Sequence, residues 1–348
     1  MSAIRIVNVA SAVPQHVVDQ SVVRRIVERV FGDRVADLER LLKVFEHDHI
    51  HTRYFVRPPE WYERDHGFGE ANAVFTESAI ELSERAARAA AGEHLDKIKA
   101  VVVVSSTGVM TPSLDTMLIQ RLGLPSSTRR LPIFGLGCAG GVSGMARAAE
   151  LSRGLGGACV LMVAVEICSV TFRQSDTRKS NIVASSIFGD GAAAVLIGGE
   201  GGGPQIVDSH STLFPDTHDI MGWDVTDSGL AVRFSRDIPT FVREHVPTVL
   251  SEACMVWGID RLDILDVIAH PGGSKVLEAY SQATGLPEET FDAARRVLRE
   301  FGNMSSASVL FVLERWLRAA APRPSYSLMA ALGPGFSSEL LLLRNSVE

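Results

Sequence analysis

The sequence predicts a layered α/β protein in which one strand–loop–helix plan is built twice. Three observations carry this expectation. Short apolar runs of strand length alternate with helical patterns along the chain. A strand–loop–helix segment ending in Leu122-Gly123-Leu124-Pro125 is echoed by one ending in Thr284-Gly285-Leu286-Pro287. In both copies the next event is a glycine-containing turn into a helix, Gly137-Cys138-Ala139-Gly140 and Gly302-Asn303-Met304-Ser305.

Taken in order, residues 4–10 read as a first strand, 22–44 as a charge-rich helix and 75–92 as an alanine-spaced helix. Residues 99–105 form a buried strand, followed by the helix that stops at Leu122-Gly123. A short strand over 131–134 leads into the Cys138 turn, a helix over 142–153 and a buried strand over 159–166. The stretch Gly198-Gly-Glu-Gly-Gly-Gly-Pro204 is the natural linker, dividing residues 1–203 from 204–348. The second copy repeats the plan, with a strand over 262–269, a helix ending at Thr284, the Asn303 turn and a strand over 326–332. Equivalent turns of a duplicated fold can meet across the axis relating the halves, which would bring Cys138 and Asn303 together.

Composition narrows the function. Apolar residues at 46% and charged residues at 22% are ordinary for a soluble globular enzyme of 348 residues. A net charge of −7 argues against nucleic acid or an anionic membrane as main partner. No apolar run approaches the roughly 18 residues that span a bilayer, and the N-terminus lacks a signal-peptide pattern. Four cysteines without a Cys-x-x-Cys pair read as free thiols in a reducing cytoplasm. Gly135-x-Gly137-x-x-Gly140 satisfies the dinucleotide fingerprint, and a later strand ends in Glu166. That fingerprint alone is a weak signal, it lies mid-chain around a cysteine, and a dinucleotide enzyme leaves the duplication unexplained. His47-x-His49-x-His51 has no neighbouring carboxylate or cysteine cluster to complete a tetrahedral metal site.

Three polar residues stand out. Cys138 lies between a strand and a helix N-terminus, where unpaired N–H groups and the dipole lower a thiol's pKa toward neutrality. The glycines around it leave room for an incoming thioester. His270 ends an apolar strand and is followed by Pro271-Gly272-Gly273. Asn303 offers a neutral amide donor, and its bland alternative, a helix N-cap, is compatible with that role.

Together Gly137-Cys-Ala-Gly-Gly141, Phe188-Gly-Asp-Gly-Ala-Ala-Ala194, His270-Pro-Gly-Gly273, Gly302-Asn-Met-Ser-Ser306 and Gly333-Pro-Gly335 resemble the type III polyketide synthases, the chalcone synthase-like group. The resemblance runs from the first strand nearly to the last. It implies a thiolase fold, a duplicated αβαβα five-layer architecture, in a homodimer. It also implies that Cys138 takes an acyl group from an acyl-CoA starter, while His270 and Asn303 stabilise the enolate formed when malonyl-CoA loses carbon dioxide. No metal, flavin or nicotinamide cofactor is required.

By the same resemblance Phe188 guards the passage to the cavity. Val232 stands where plant members carry a second guarding phenylalanine, and Phe234 is placed to substitute in part. Gly272, Gly273, Ser305, Gly333 and Pro334 fall in motifs that meet substrate, and Arg40, Lys43 and His47 at positions that bind CoA phosphates. Slim residues at Thr107, Thr111 and Cys168 leave space for an alkyl tunnel, so the expected starter is a fatty acyl-CoA and the product an alkylpyrone or alkylresorcinol. Cys168 is also similar to malonyl-primed, naphthalene-forming members. A ketoacyl-ACP synthase III-type enzyme is the nearer competitor. Those enzymes follow the histidine with Gln-Ala-Asn and the asparagine with Thr-Ser, which this chain lacks. A non-catalytic thiolase-fold partner would have no need of Cys138.

Overall fold

A computed structural model of the chain describes residues 3–47, 49–319 and 325–345, without the side chain of His47. Its strands are β1 (Arg5–Ala12), β2 (His16–Asp19), β3 (Thr52–Phe55), β4 (Ile98–Val104), β5 (Arg129–Ile133), β6 (Cys159–Ile167), β7 (Asp190–Gly198), β8 (Gln205–Leu213), β9 (Met221–Thr226), β10 (Gly229–Phe234), β11 (Ile264–Ala269), β12 (Tyr326–Gly333) and β13 (Ser337–Arg344). The helices are α1 (Gln20–Phe31), α2 (Leu38–Leu42), α3 (Val44–His47), α4 (Phe68–Ala91), α5 (Leu114–Leu122), α6 (Gly140–Gly154), α7 (Lys179–Ile187), α8 (Ile238–Trp257), α9 (Ser274–Thr284), α10 (Asp292–Phe301) and α11 (Ser308–Arg318).

The internal echo is visible in the sheet. Nine strands run in the order β11-β12-β13-β8-β1-β7-β6-β4-β5. In one half β4 is parallel to β6, and β7 is antiparallel to both β6 and β1. In the other, β11 is parallel to β12, and β13 is antiparallel to both β12 and β8. The halves join edge to edge where β1 meets β8. Within the sheet the copies differ by one strand: β5 edges the first half, and the helix α10 occupies the corresponding stretch of the second. At the two echoed helix ends, Gly123 and Gly285 both adopt a left-handed conformation, with φ of 69° and 72°. A side chain there would strain the C-cap, which is why both copies carry glycine.

Strands buried on both faces read as near-continuous apolar runs, with polar residues such as Glu166 in β6 and Asp190 in β7 near their ends. Val102, Val104, Met162, Ala164, Val195 and Ile197 face a core shared with α6 and α11. Their neighbours Val101, Val103, Leu161, Val163, Ala194 and Leu196 face α4 and α5. Helix α6 packs on β4, β6 and β7 of one half and on β8, β12 and β13 of the other. It therefore forms, with α11, a central layer between the halves.

The long helix expected over 22–44 is instead three helices. Gly32 and Asp33 interrupt it, and Leu38, Leu42 and Phe45 fold back to share a core with Val27 and Phe31 of α1. Helix α4 starts at Phe68, a full two turns before the expected residue 75.

Candidate active site

Three loops at strand ends converge. Cys138 sits in the short 3-10 turn Gly137–Ala139 that leads into α6. The end of β12 presses on this turn: a Cβ on Gly333 would lie 2.4 Å from the Leu136 carbonyl oxygen and 2.6 Å from the Ala139 Cβ. Pro334 packs in turn on Gly137. Gly333 and Pro334, expected at the substrate, thus hold the Cys138 turn from behind. His270 follows β11 and is tied by its N–H to the Ala330 carbonyl at 2.8 Å.

Asn303 is fixed by its backbone to the segment after α7. Its N–H donates to the Ile187 carbonyl at 2.7 Å, and its carbonyl accepts from Gly189 N–H at 3.0 Å. Its side-chain oxygen accepts from the Ser305 N–H at 2.8 Å, and its amide NH2 donates to the Gly272 carbonyl at 3.4 Å. The second bond is long, which leaves the amide available to a better acceptor. Ser305 holds a left-handed backbone with φ of 47°, a strained conformation for a serine and one concentrated at functional sites. Gly273 caps the start of α9.

Cys138, His270, Gly272 and Asn303 line one small chamber, walled by Phe234, Val276, Tyr280 and Leu332. Its walls determine the electrostatics. Burial drives the Cys138 thiol up to about 12, hydrogen bonds from Ser305 and Asn303 oppose this, and the Glu166 carboxylate adds to it. Burial alone pulls His270 down to about 3. Where a thiol near neutrality was expected, burial favours the neutral thiol. Desolvation outweighs the helix dipole, and the resting pair is a neutral thiol with a neutral imidazole. A thiolate–imidazolium pair forms only as each charge stabilises the other, or as substrate and water enter.

Glu166 went unread as a site residue, although a single carboxylate closing an apolar strand was a readable signal. It is fully buried and held at about 7 by desolvation against hydrogen bonds from Ser306, Ser106 and Thr107. The Ser306 hydroxyl donates at 2.6 Å, the Ser106 N–H at 3.0 Å and the Thr107 hydroxyl at 2.8 Å. Thr107 is thereby committed to this network. Above pH 7 the ionised Glu166 disfavours the Cys138 thiolate, so Glu166→Gln lowers the thiol pKa. Alkylation of Cys138 by iodoacetamide at pH 8–9 should then run about two- to tenfold faster, a shift of up to one pKa unit. An unchanged pH profile would show that the two groups do not interact.

Phe188 stands beside the chamber with its ring 5.7 Å from Phe234 and 6.0 Å from Trp223. Phe234 and Trp223 are thus both packed against Phe188, and Trp223 was not anticipated. Arg53, wholly buried beside Asp190 and lowered by burial to about 9, donates to the Phe188 carbonyl at 3.0 Å and the Ser185 carbonyl at 2.6 Å. Beyond Phe188 lies a second, narrow and mainly apolar cavity. Cys168 and Val232 line it, as do Val23, Ile26 and Val27 of α1 and Ala184 of α7. Thr111 is exposed in the loop between β4 and α5 of the single chain and does not line either of these two cavities.

Arg40 is exposed and pairs with Asp37 at 3.2 Å, and Lys43 is exposed on the same segment. The side chain of His47 lies outside the described residues. The solvent-open groove beside Ser274 and Leu298 is lined instead by His49, His51, Arg295, Arg296 and Arg299, with Glu278, Glu288 and Asp292. Among the described residues no group of three or more His, Cys, Asp or Glu is placed to hold a metal ion, and no helix is long and apolar enough to cross a membrane.

With this geometry in place, the relatives are informative. The family model for the N-terminal domain of chalcone and stilbene synthases matches residues 2–201, and the one for their C-terminal domain matches residues 205–347. The chain belongs to this family. Type III polyketide synthases are decarboxylating condensing acyltransferases, and the synthase is one of them. It is 40% identical, over 97% of both chains, to a Bacillus subtilis (strain 168) protein provisionally named a chalcone synthase. It is 37% identical to the 1,3,6,8-tetrahydroxynaphthalene synthase of Streptomyces peucetius subsp. caesius, over 97% of this chain and 92% of the relative. The crystal structure of the Streptomyces coelicolor A3(2) tetrahydroxynaphthalene synthase superposes with a TM-score of 0.93, at 29% identity, over 99% of the synthase and 100% of that chain. The duplicated α/β architecture of the synthase is thus the thiolase fold of that enzyme class. The match sets aside the ketoacyl-ACP synthase III alternative.

Proposed function

We propose that the synthase loads a long-chain fatty acyl-CoA starter and extends it with malonyl-CoA to an alkylpyrone or alkylresorcinol. The Cys138 thiolate attacks the starter's thioester carbonyl, coenzyme A leaves as the thiol, and the acyl group stays on Cys138. Malonyl-CoA then loses carbon dioxide, and the amide of Asn303 with the imidazole N–H of His270 stabilises the enolate oxygen. The enolate carbon attacks the Cys138 thioester, the C–S bond breaks to release the Cys138 thiolate, and the chain, two carbons longer, is left on the extender's coenzyme A and passes back to Cys138 for the next round. Repetition and ring closure follow in the same space. The two halves, 1–203 and 204–348, each contribute one side of this site, in a homodimer acting in the cytoplasm.

The observation that supports the long starter is the cavity beyond Phe188, lined by Val23, Ile26, Val27, Ala184 and Val232. Each methylene buried there stabilises binding by about 0.8 kcal/mol. Ala184→Phe would fill part of that space, so the preferred starter should shorten by several carbons while acetyl or butyryl starters still react. The assay is mass spectrometry of products from malonyl-CoA with starters from acetyl-CoA to stearoyl-CoA. An unchanged starter range in the variant would end the cavity reading.

A second reading is favoured by two relatives whose names are 1,3,6,8-tetrahydroxynaphthalene synthase, at 37% and 30% identity. In that reading malonyl-CoA is also the starter, and the product is a naphthalene. A naphthalene-type product from malonyl-CoA alone, with no long-starter product, would select it.

A further inference from the structure

Three polar atoms in the walls of the Cys138 chamber are buried and without a hydrogen-bond partner among the described residues: Nδ1 and Nε2 of His270 and the hydroxyl of Tyr280. His270 is 4% exposed and Tyr280 2%. Tyr280 lies on α9 one turn beyond Val276, and both line the chamber, so the same face of α9 looks down on His270. Its ring is fixed by stacking on Phe291, with centroids 6.5 Å apart. A buried hydroxyl without a partner is destabilising, so a valine or phenylalanine would serve packing better. The tyrosine must find a partner in the working site.

The reaction supplies the need. A neutral imidazole carries one N–H. To stabilise an enolate oxygen that N–H must face the substrate, and the other nitrogen must then accept a bond from the protein. The Asn303 amide is needed at the enolate oxygen and its side-chain oxygen accepts from Ser305, so it is not that donor. We propose that Tyr280 is a positioning residue whose hydroxyl partners Nδ1 of His270, directly or through one water, and holds the imidazole as its Nε2–H tautomer during condensation. Because a phenol hydroxyl both donates and accepts, it also accepts from Nδ1–H while an imidazolium balances the Cys138 thiolate. Burial keeps the phenol protonated, its pKa held well above the ordinary tyrosine range. The proposal rests on the assignment of His270 to the enolate step.

Tyr280→Phe removes only the hydroxyl and keeps the ring and its stack. In the full-length protein, with imidazole nitrogens labelled with ¹⁵N, the wild type should show His270 as one tautomer protonated at Nε2. The variant should show a mixture, the ratio moving by up to about tenfold for one lost hydrogen bond. In parallel kcat for malonyl-CoA decarboxylation should fall by a similar factor with KM unchanged, and the melting temperature should not fall. Identical His270 shifts in the two proteins would overturn the proposal, as would an altered product with an unaltered decarboxylation rate, which would place the hydroxyl on the polyketide. The NMR readout does not depend on turnover. A wild type with a fixed tautomer but no decarboxylation would therefore refute the role of His270 in the enolate step and leave the Tyr280 contact standing.

Discussion

Replacing Cys138 with alanine should abolish polyketide formation, by at least about 10⁴-fold, while leaving malonyl-CoA decarboxylation measurable. No other thiol shares a chamber with His270 and Asn303 among the described residues. Cys159 and Cys254 are buried in the hydrophobic core clusters, and Cys168 faces the cavity with its pKa raised well above the ordinary range by burial. The substitution is mild for the fold, since the turn is held by backbone contact with Gly333 and not by the sulfur. His270 and Asn303 remain, so the decarboxylating half of the chemistry persists. Product analysis and carbon dioxide release, read on the same sample, separate the two steps. Undiminished polyketide from the variant would remove Cys138 from the mechanism.

Asn303→Ala carries the second largest effect. One donor aimed at a developing oxyanion is worth about 10²–10³ in rate, and decarboxylation should fall by that factor. Alanine also deletes the side-chain oxygen that accepts from the Ser305 N–H, a bond worth about 1 kcal/mol. The variant therefore loses a little stability along with its rate. Asn303→Asp separates the contributions: its carboxylate still accepts from Ser305 but offers no N–H to substrate. The aspartate variant should regain melting temperature and not decarboxylation. A rate equal to wild type in either variant would exclude the amide from enolate stabilisation.

Much of this arrangement could be read from the chain. The duplication was legible because two αL glycines and two turn motifs recur at matching places, and repeated backbone constraints leave repeated residues. The meeting of Cys138, His270 and Asn303 followed from that symmetry and from the motifs. The chemical state of Cys138 did not, because a helix N-terminus is visible in sequence and the depth of burial around a turn is not. Glu166 and Tyr280 escaped for a related reason: a buried polar side chain declares itself only when its surroundings are assembled. The break after Phe31 was missed because charge and apolar spacing continue through Gly32-Asp33, and only the fold-back of Leu38, Leu42 and Phe45 shows where the helix stops.

The position of β1 in the sheet has a consequence for biosynthesis. This first strand, Arg5–Ala12, has no sheet partner until β7, Asp190–Gly198, has been made, and its other edge waits for β8. The partners of β8 and β12 in the second half come still later, with β13, Ser337–Arg344. Pairings so distant in sequence must close large loops before they gain any contact energy, which slows folding and leaves strand edges open during translation. A nascent chain therefore exposes β1 through the synthesis of the whole first half, and the Cys138 thiol stays without His270 and Asn303 for longer still. A chain terminated between β12 and β13 carries an unpaired edge on β8 and on β12, and such chains are the ones expected to aggregate.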